Sequence, residues 1–220
     1  KVIGIIPARY ASSRFPGKPL ADVLGKSMIQ RVYEQCKKCT TLDEVIVATD
    51  DNRIFNHVIS FGGEVLMTAT THLSGTDRCN ELVKSLKPKY DIAINIQGDE
   101  PFINPKQINQ IVSLFNSPEI TIATLVRKIE SLSLLTDANS PKAIFDKNGI
   151  AQNFCRSITQ IKPNQTYYKH IGIYGYRAQT LAEIFKLPPS ENEKTERLEQ
   201  LRWLDNGYKI KVGITTFESL

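Results

Sequence analysis

Lys1-Val2-Ile3-Gly4-Ile5-Ile6-Pro7-Ala8-Arg9-Tyr10-Ala11-Ser12-Ser13-Arg14-Phe15-Pro16-Gly17-Lys18-Pro19-Leu20 opens the chain. Residues 2–6 are a short, continuous apolar run, the pattern of a strand covered on both faces in a parallel sheet. A loop with three cations and two serine hydroxyls follows directly. Ligands of open parallel sheets bind outside the carboxyl ends of the strands, so this loop lies where a ligand belongs. Pro7, Pro16 and Pro19 restrict its backbone and reduce the entropy lost on closing around a ligand. Arg9 and Arg14 offer planar forks to phosphate oxygens, and Lys18 a mobile point charge. That set suits a triphosphate. The glycine spacing of a Walker A or dinucleotide fingerprint is missing, and the residues alone also allow a solvated loop with incidental charges.

Similar apolar runs recur at 44–48, 64–67, 92–96 and 121–126. Between them, Met28, Ile29, Val32, Tyr33 and Cys36 share one helical face, as do Ile108, Ile111, Val112 and Phe115 beyond Pro105. Gly62-Gly63 closes the second helix. The β-α-β-α-β order predicts an α/β fold: a mostly parallel, Rossmann-like sheet with helices on both faces. After about Asp137 the texture changes. Residues 142–146 and 150–154 flank Asn148-Gly149, a hairpin turn signal. Residues 169–176 read as a strand, and 196–204 as a helix beyond Pro188-Pro189. The expectation is one domain over residues 1–220, with a small mixed-strand lobe inserted at about 137–195.

At 220 residues, with 41% hydrophobic and 23% charged, the chain can bury a substantial core. No apolar run approaches a membrane span. Residues 1–7 are too short for a signal peptide and lack a small-residue cleavage site, so the expectation is a cytoplasmic protein with no membrane partner. The +5 net charge is spread along the chain. It favours an enzyme with an anionic substrate over a nucleic-acid binder. Cys36-Lys37-Lys38-Cys39 has metal spacing but no second pair to complete a zinc site, so reduced surface or helix-end thiols are expected.

Asn95-Ile96-Gln97-Gly98-Asp99-Glu100-Pro101 ends a buried strand, which places Asp99 on the same carboxyl edge as the basic loop. A carboxylate there can hold Mg²⁺ or pair with Arg or Lys. Gly98 permits close backbone approach. In His72-Leu73-Ser74-Gly75-Thr76-Asp77-Arg78, Ser74 or Thr76 reads as a helix cap. Strand alternation puts His170, Gly172, Tyr174 and Tyr176 on one face, suited to a polyhydroxylated ligand or to packing at a lobe interface.

Residues 6–20, 47–50, 72–78, 95–101, 167–177 and 198–202 together resemble the sugar nucleotidyltransferases, in the form of the CMP-sugar synthetases that act on 3-deoxy-manno-octulosonate (Kdo). The resemblance implies Mg²⁺-dependent transfer of CMP from CTP to the anomeric hydroxyl of Kdo, with release of pyrophosphate, for lipopolysaccharide biosynthesis. It assigns Pro7, Ala8, Arg9, Ser13, Arg14, Lys18, Ser74, Gly75, Arg78, Gln97 and Gly98 to the nucleotide. Arg156, His170, Tyr174, Glu199 and Gln200 fall to the sugar, and Asp99 to the metal, with Arg9, Lys18 and Asp99 as the catalytic set. It also implies a homodimer, with the 137–195 lobe serving sugar binding and dimerisation. An amino-Kdo or a sialic acid is the alternative substrate, and a non-catalytic nucleotide-binding protein the remote one. Two departures stand out. The family tends to continue Arg156 with Ser-Pro-Ile-Pro, where this chain reads Ser157-Ile158-Thr159-Gln160. The family also supplies a second metal-binding aspartate in a Gly-Val-Asp-Thr-Pro-like segment. Phe217-Glu218-Ser219-Leu220 stops short of that segment, and a truncated chain is the expectation.

Overall fold

A computed structural model describes residues 1–11, 15–87, 89–131, 133–158, 160–162 and 165–218. Its elements run β1 (Val2–Ala8), β2 (Asp22–Val23), β3 (Lys26–Ser27), α1 (Met28–Lys37), β4 (Glu44–Thr49), α2 (Asn52–Ser60) and β5 (Val65–Met67). They continue α3 (Gly75–Ser85), β6 (Ile92–Asn95), α4 (Pro105–Ser113), β7 (Ile122–Lys128), α5 (Ser133–Thr136), β8 (Lys142–Phe145) and β9 (Ala151–Cys155). The chain closes with β10 (Tyr168–Arg177), α6 (Ala178–Ile184), α7 (Glu191–Glu196), α8 (Gln200–Asp205) and β11 (Ile210–Thr215).

The helices begin where the sequence supplies caps. Ser27, Asp51, Ser74 and Asn104 each accept a backbone N–H of the first turn from α1, α2, α3 and α4, and Pro105 occupies the first turn of α4. Gly62, at φ 77°, ends α2.

The main sheet runs β11-β7-β10-β6-β1-β4-β5, with the β8–β9 hairpin attached through β10. β1 pairs in parallel with both β4 and β6, and β11 in parallel with β7. Successive crossovers leave β1 first toward β5, then toward β6. The switch point between β1 and β6 opens a crevice at their carboxyl ends. One face of the sheet packs α3, α6 and α8 through Leu82, Leu181 and Trp203. The other packs α1, α2 and α4 through Val32, Ile54 and Ile108. This is the predicted mostly parallel α/β sheet, covered on both sides. No helix among the described residues is long and apolar enough to cross a membrane.

Three details differ from the sequence reading. β10, expected within the second-half lobe, runs antiparallel between β6 and β7 in the middle of the main sheet. The helix expected over 196–204 begins only at Gln200, as α8; Glu196 is the last residue of a separate helix, α7, and residues 197–199 lie between the two. Cys36 and Cys39 are free thiols at the end of α1, as one of the two expected placements had it, but they are buried rather than on the surface, and Cys39 Sγ donates to Asn109 Oδ1 at 2.7 Å. Burial pushes the Cys36 thiol up, which keeps it protonated and unreactive.

Within β10, a Cβ at Gly175 would lie 2.6 Å from the ring of Phe115 and 3.1 Å from Ile94. Gly175→Ala therefore forces the central strand off its neighbours. The expected loss is about 1–3 kcal/mol, read as a lower urea midpoint at unchanged slope.

Candidate active site

The basic loop leaves β1 and is pinned at its far end. Gly17 N donates to Tyr10 O at 2.9 Å, and Gly17 takes φ 76°. The Tyr10 ring packs against Gly17, while the Arg53 guanidinium carbon lies 3.2 Å from the ring centroid. A short 3₁₀ turn over Lys18–Leu20 follows, and from it Lys18 Nζ reaches Asp99 Oδ2 at 2.7 Å. Both side chains are partly exposed, at 37% and 49%, so the pair is wet and weak and can be displaced by a stronger anion. Arg9 has no carboxylate partner among the described residues. Ser13 and Arg14 lie outside the described residues.

Glycines let three strand ends converge. A Cβ at Gly98 would sit 2.8 Å from the carbonyl oxygen of Pro7. One at Gly75 would touch Pro7 and Asn95, and one at Gly172 would touch Gln97. Gln97 Nε2 donates to Gly172 O at 2.9 Å, tying the end of β6 to β10.

Ser74 caps α3 in a capping box with Asp77, as its residues alone suggested. Arg78 is buried. Its Nη2 donates to Asp50 Oδ2 at 2.5 Å and its Nη1 to Thr68 Oγ1 at 2.7 Å, which binds α3 to the ends of β4 and β5.

Antiparallel β10 enters from the same edge. Its pairing with β7 slips between Ile171 and Tyr174, a bulge of the kind that re-aims side chains beside functional sites. Thr124 Oγ1 fills the slip, donating to Ile173 O at 2.8 Å and meeting His170 Nε2 at 2.9 Å. Burial pushes His170 down to about 3, so the ring is neutral near pH 7. His170, Tyr174, Tyr176 and Trp203 form a continuous aromatic stack, with Tyr174 and Tyr176 both edge-on to Trp203. Glu199 Oε2 accepts from Thr76 Oγ1 at 2.9 Å, and burial raises its carboxyl above the ordinary value.

The break between α7 and α8 has a visible cause. Arg156 Nε donates to Glu196 O at 2.5 Å and Nη2 to Arg197 O at 3.0 Å, taking carbonyls that a continuous helix would use itself. Its Nη1 donates to Ala138 O at 2.8 Å. Each guanidinium nitrogen thus holds main chain.

The result is one cleft with two connected chambers. The first, about 380 Å³, is lined by Ser74, Gly75, Arg78, His170, Tyr174, Glu199 and Gln200 among others. The second, about 500 Å³, is lined by Lys18, Gly98 and Asp99. Pro7, Ala8, Arg9 and Gln97 line both. Of the described residues expected in a site, Arg156 alone lines neither chamber. His72, Asn95, Gly172 and Arg197 line the first chamber without having been singled out as site residues. The first three lie within motifs already quoted, but nothing local marks Arg197, which reaches the cleft only through the helix break. No group of three or more His, Cys, Asp or Glu among the described residues could hold a metal alone. Mg²⁺ ordinarily takes one or two carboxylates plus phosphates and water. Asp99 therefore fits an ion that arrives with a phosphorylated ligand.

Residues 3–210 match the family model described as Cytidylyltransferase. The 3-deoxy-manno-octulosonate cytidylyltransferase of Parabacteroides distasonis is 56% identical over 233 residues, spanning all of this chain and 92% of that protein. The chain belongs to the 3-deoxy-manno-octulosonate cytidylyltransferase family. A second member, from Bacteroides thetaiotaomicron, is 51% identical over 232 residues, with all of this chain and 92% of that protein covered. A solved structure described as CMP:2-keto-3-deoxy-manno-octonic acid synthetase complexed with CTP is 40% identical, with a TM-score of 0.92 over 98% of this chain and 90% of that one. Family membership accounts for the sheet order and for the crevice at its switch point.

The folded protein holds His170 neutral, whereas the unfolded chain binds a proton below about pH 6.5. Stability from this residue is full above that value and falls as pH drops toward 3. Imidazole signals followed by NMR from pH 8 to 5 are expected to show no titration of His170. Protonation near its ordinary value would contradict the buried, Thr124-bound ring.

Proposed function

We propose that this protein transfers CMP from CTP to the anomeric hydroxyl of Kdo, releasing pyrophosphate. The observation that carries this reading is the Lys18–Asp99 pair set across the β1/β6 switch point beside Arg9, which has no carboxylate partner among the described residues. Phosphate oxygens entering the second chamber would replace Asp99 as the partner of Lys18, because a triphosphate concentrates more charge than one carboxylate. Arg9 would then hold the phosphates where the two chambers meet. Freed from Lys18, the Asp99 carboxylate would take Mg²⁺ together with phosphate oxygens. Bound there, the ion offsets charge on the phosphates and lowers the pKa of the attacking hydroxyl.

In the first chamber, Ser74, Gly75 and the neighbourhood of Arg78 would line the nucleoside. Arg78 acts there as a rigid wall, since Asp50 and Thr68 already engage its guanidinium. His170, Tyr174, Glu199 and Gln200 would orient the sugar acid. The neutral His170 supplies hydrogen bonding rather than charge, and the rigid aromatic stack behind it fixes the position of Tyr174. The anomeric hydroxyl attacks the α-phosphate in line, and pyrophosphate leaves toward Lys18 and Arg9. The protein contributes positioning and a preorganised field, with no covalent intermediate. The proposed working form is a homodimer joined through the 137–195 region, where Ile144 and Ile161 are exposed.

Pyrophosphate release measured over CTP, UTP, ATP and GTP, crossed with Kdo, amino-Kdo and a sialic acid, is expected to single out CTP with Kdo. Asp99→Ala and Lys18→Ala should each lower kcat by about 10²–10³-fold. A near-normal rate for Asp99→Ala at saturating Mg²⁺ would overturn the metal role.

A further inference from the structure

Arg9 and Lys18 sit at opposite ends of the basic loop, each one residue from the contact that joins those ends. Gly17 N donates to Tyr10 O at 2.9 Å. A Cβ on Gly17 would lie 3.1 to 3.2 Å from Cε2, Cζ and Oη of the Tyr10 ring, so the ring is pressed on the backbone directly before Lys18. What holds the ring comes from outside the loop. Arg53, in the first turn of α2, places its guanidinium carbon 3.2 Å from the ring centroid. Tyr10 and Arg53 line neither chamber, although Arg9 and Lys18 beside them do.

Arg53 is itself fixed. Its Nε donates to Asp51 Oδ1 at 2.9 Å and its Nη2 to Asp51 Oδ2 at 2.6 Å, a two-point fork that sets the plane of the guanidinium. Asp51 stands just beyond β4 and caps α2 by accepting from Arg53 N at 2.9 Å. The guanidinium holds the Asp51 carboxyl below the usual carboxylate range, so the fork stays charged. With its edge committed to Asp51, Arg53 keeps its flat face for the ring of Tyr10. The side chain is 60% exposed, and α2 retains its cap without it, so the fork adds little to stability. The loop is thus anchored on two sides: to β6 through Lys18 and Asp99, and to β4 through Tyr10, Arg53 and Asp51. A triphosphate taking Lys18 from Asp99 releases the first anchor and leaves the second in place.

We propose that Arg53, acting through the ring of Tyr10, is a positioning residue that keeps Arg9 and Lys18 in register for the triphosphate once Lys18 has left Asp99. Neither Arg53 nor Tyr10 touches the phosphates. Their stack fixes the backbone on which the two phosphate-holding cations are mounted, and lowers the ordering the loop must undergo when the ligand arrives. This rests on the transfer reading above, which gives the loop its triphosphate.

The test pairs Arg53→Gln with Tyr10→Leu, and each with its conservative variant, Arg53→Lys and Tyr10→Phe. Calorimetric titration of CTP and of CMP, with Mg²⁺ and without sugar, gives binding, and steady-state assays give KM. Arg53→Gln and Tyr10→Leu should each weaken CTP and raise its KM by about five- to tenfold, leaving CMP affinity and the KM for Kdo unchanged. The double variant should lose no more than either single one, because the two side chains act in series. Tyr10→Phe keeps the ring and should bind CTP as the wild type does, while Arg53→Lys keeps the charge without the fork and should fall between. Unchanged CTP affinity in Arg53→Gln overturns the proposal, and so do equal losses for CTP and CMP or losses that add in the double variant. Wild-type protein that releases no pyrophosphate with any sugar acid overturns the transfer reading itself.

Discussion

The carbonyl of Pro7 lies 2.8 Å from where a Cβ of residue 98 would be, and that contact sets the geometry of the cleft. Only glycine lets the end of β1 press so closely on the turn after β6. Once they touch, the basic loop and Asp99 fall within one ion-pair length of each other. Gly172 does the same on the other side, letting Gln97 bridge to the bulged strand β10. Three strand ends thus meet closely, with only the Gln97 side chain reaching between β6 and β10. The cleft is the space their loops enclose.

Charge within the cleft is sorted by burial. Toward the solvent, Arg9, Lys18 and Asp99 stay hydrated and exchangeable, as groups must be if a multiply charged ligand is to displace their partners. Deeper in, the charged groups and the imidazole are committed, while the Tyr174 hydroxyl and Gln200 Nε2 are buried without a protein partner among the described residues. Arg78 is paired with Asp50, and His170 is neutral on Thr124. Glu199 leans on Thr76 with its charged form disfavoured. The aromatic stack ending at Trp203 makes this inner wall stiff, so ligand recognition there depends on shape and hydrogen bonding more than on attraction between charges.

Much of the fold was legible because its signals are local. Apolar runs of strand length, helical faces between them and capping residues such as Ser74 and Asn104 lie within a few positions of one another. So does the turn at Asn148-Gly149, where Gly149 adopts φ 72°. The site's outline was legible for the same reason: loops that follow β1 and β6 must emerge on one edge, whatever the side chains do. The course of β10 was not legible. An antiparallel strand entering between β6 and β7 is chosen by pairing partners 40 to 85 residues away in sequence, from Tyr168↔Lys128 to Arg177↔Ile92, and its own alternation reads equally well in a lobe.

Residues 196–204 show where local signals end. Leu198, Leu201 and Leu204 carry a helical period, and the sequence pattern extends it back to Glu196. The structure breaks it at Arg197 because the guanidinium of Arg156, forty-one residues earlier, takes the carbonyl oxygens of Glu196 and Arg197. The sequence by itself determined the parallel α/β sheet, the basic loop on its carboxyl edge and the carboxylate opposite, because these depend on local periodicity and connectivity. Tertiary structure alone decided where β10 runs and which arginine supports the backbone rather than facing the cleft. Those outcomes turn on hydrogen bonds between residues far apart in the chain, and no local pattern encodes them.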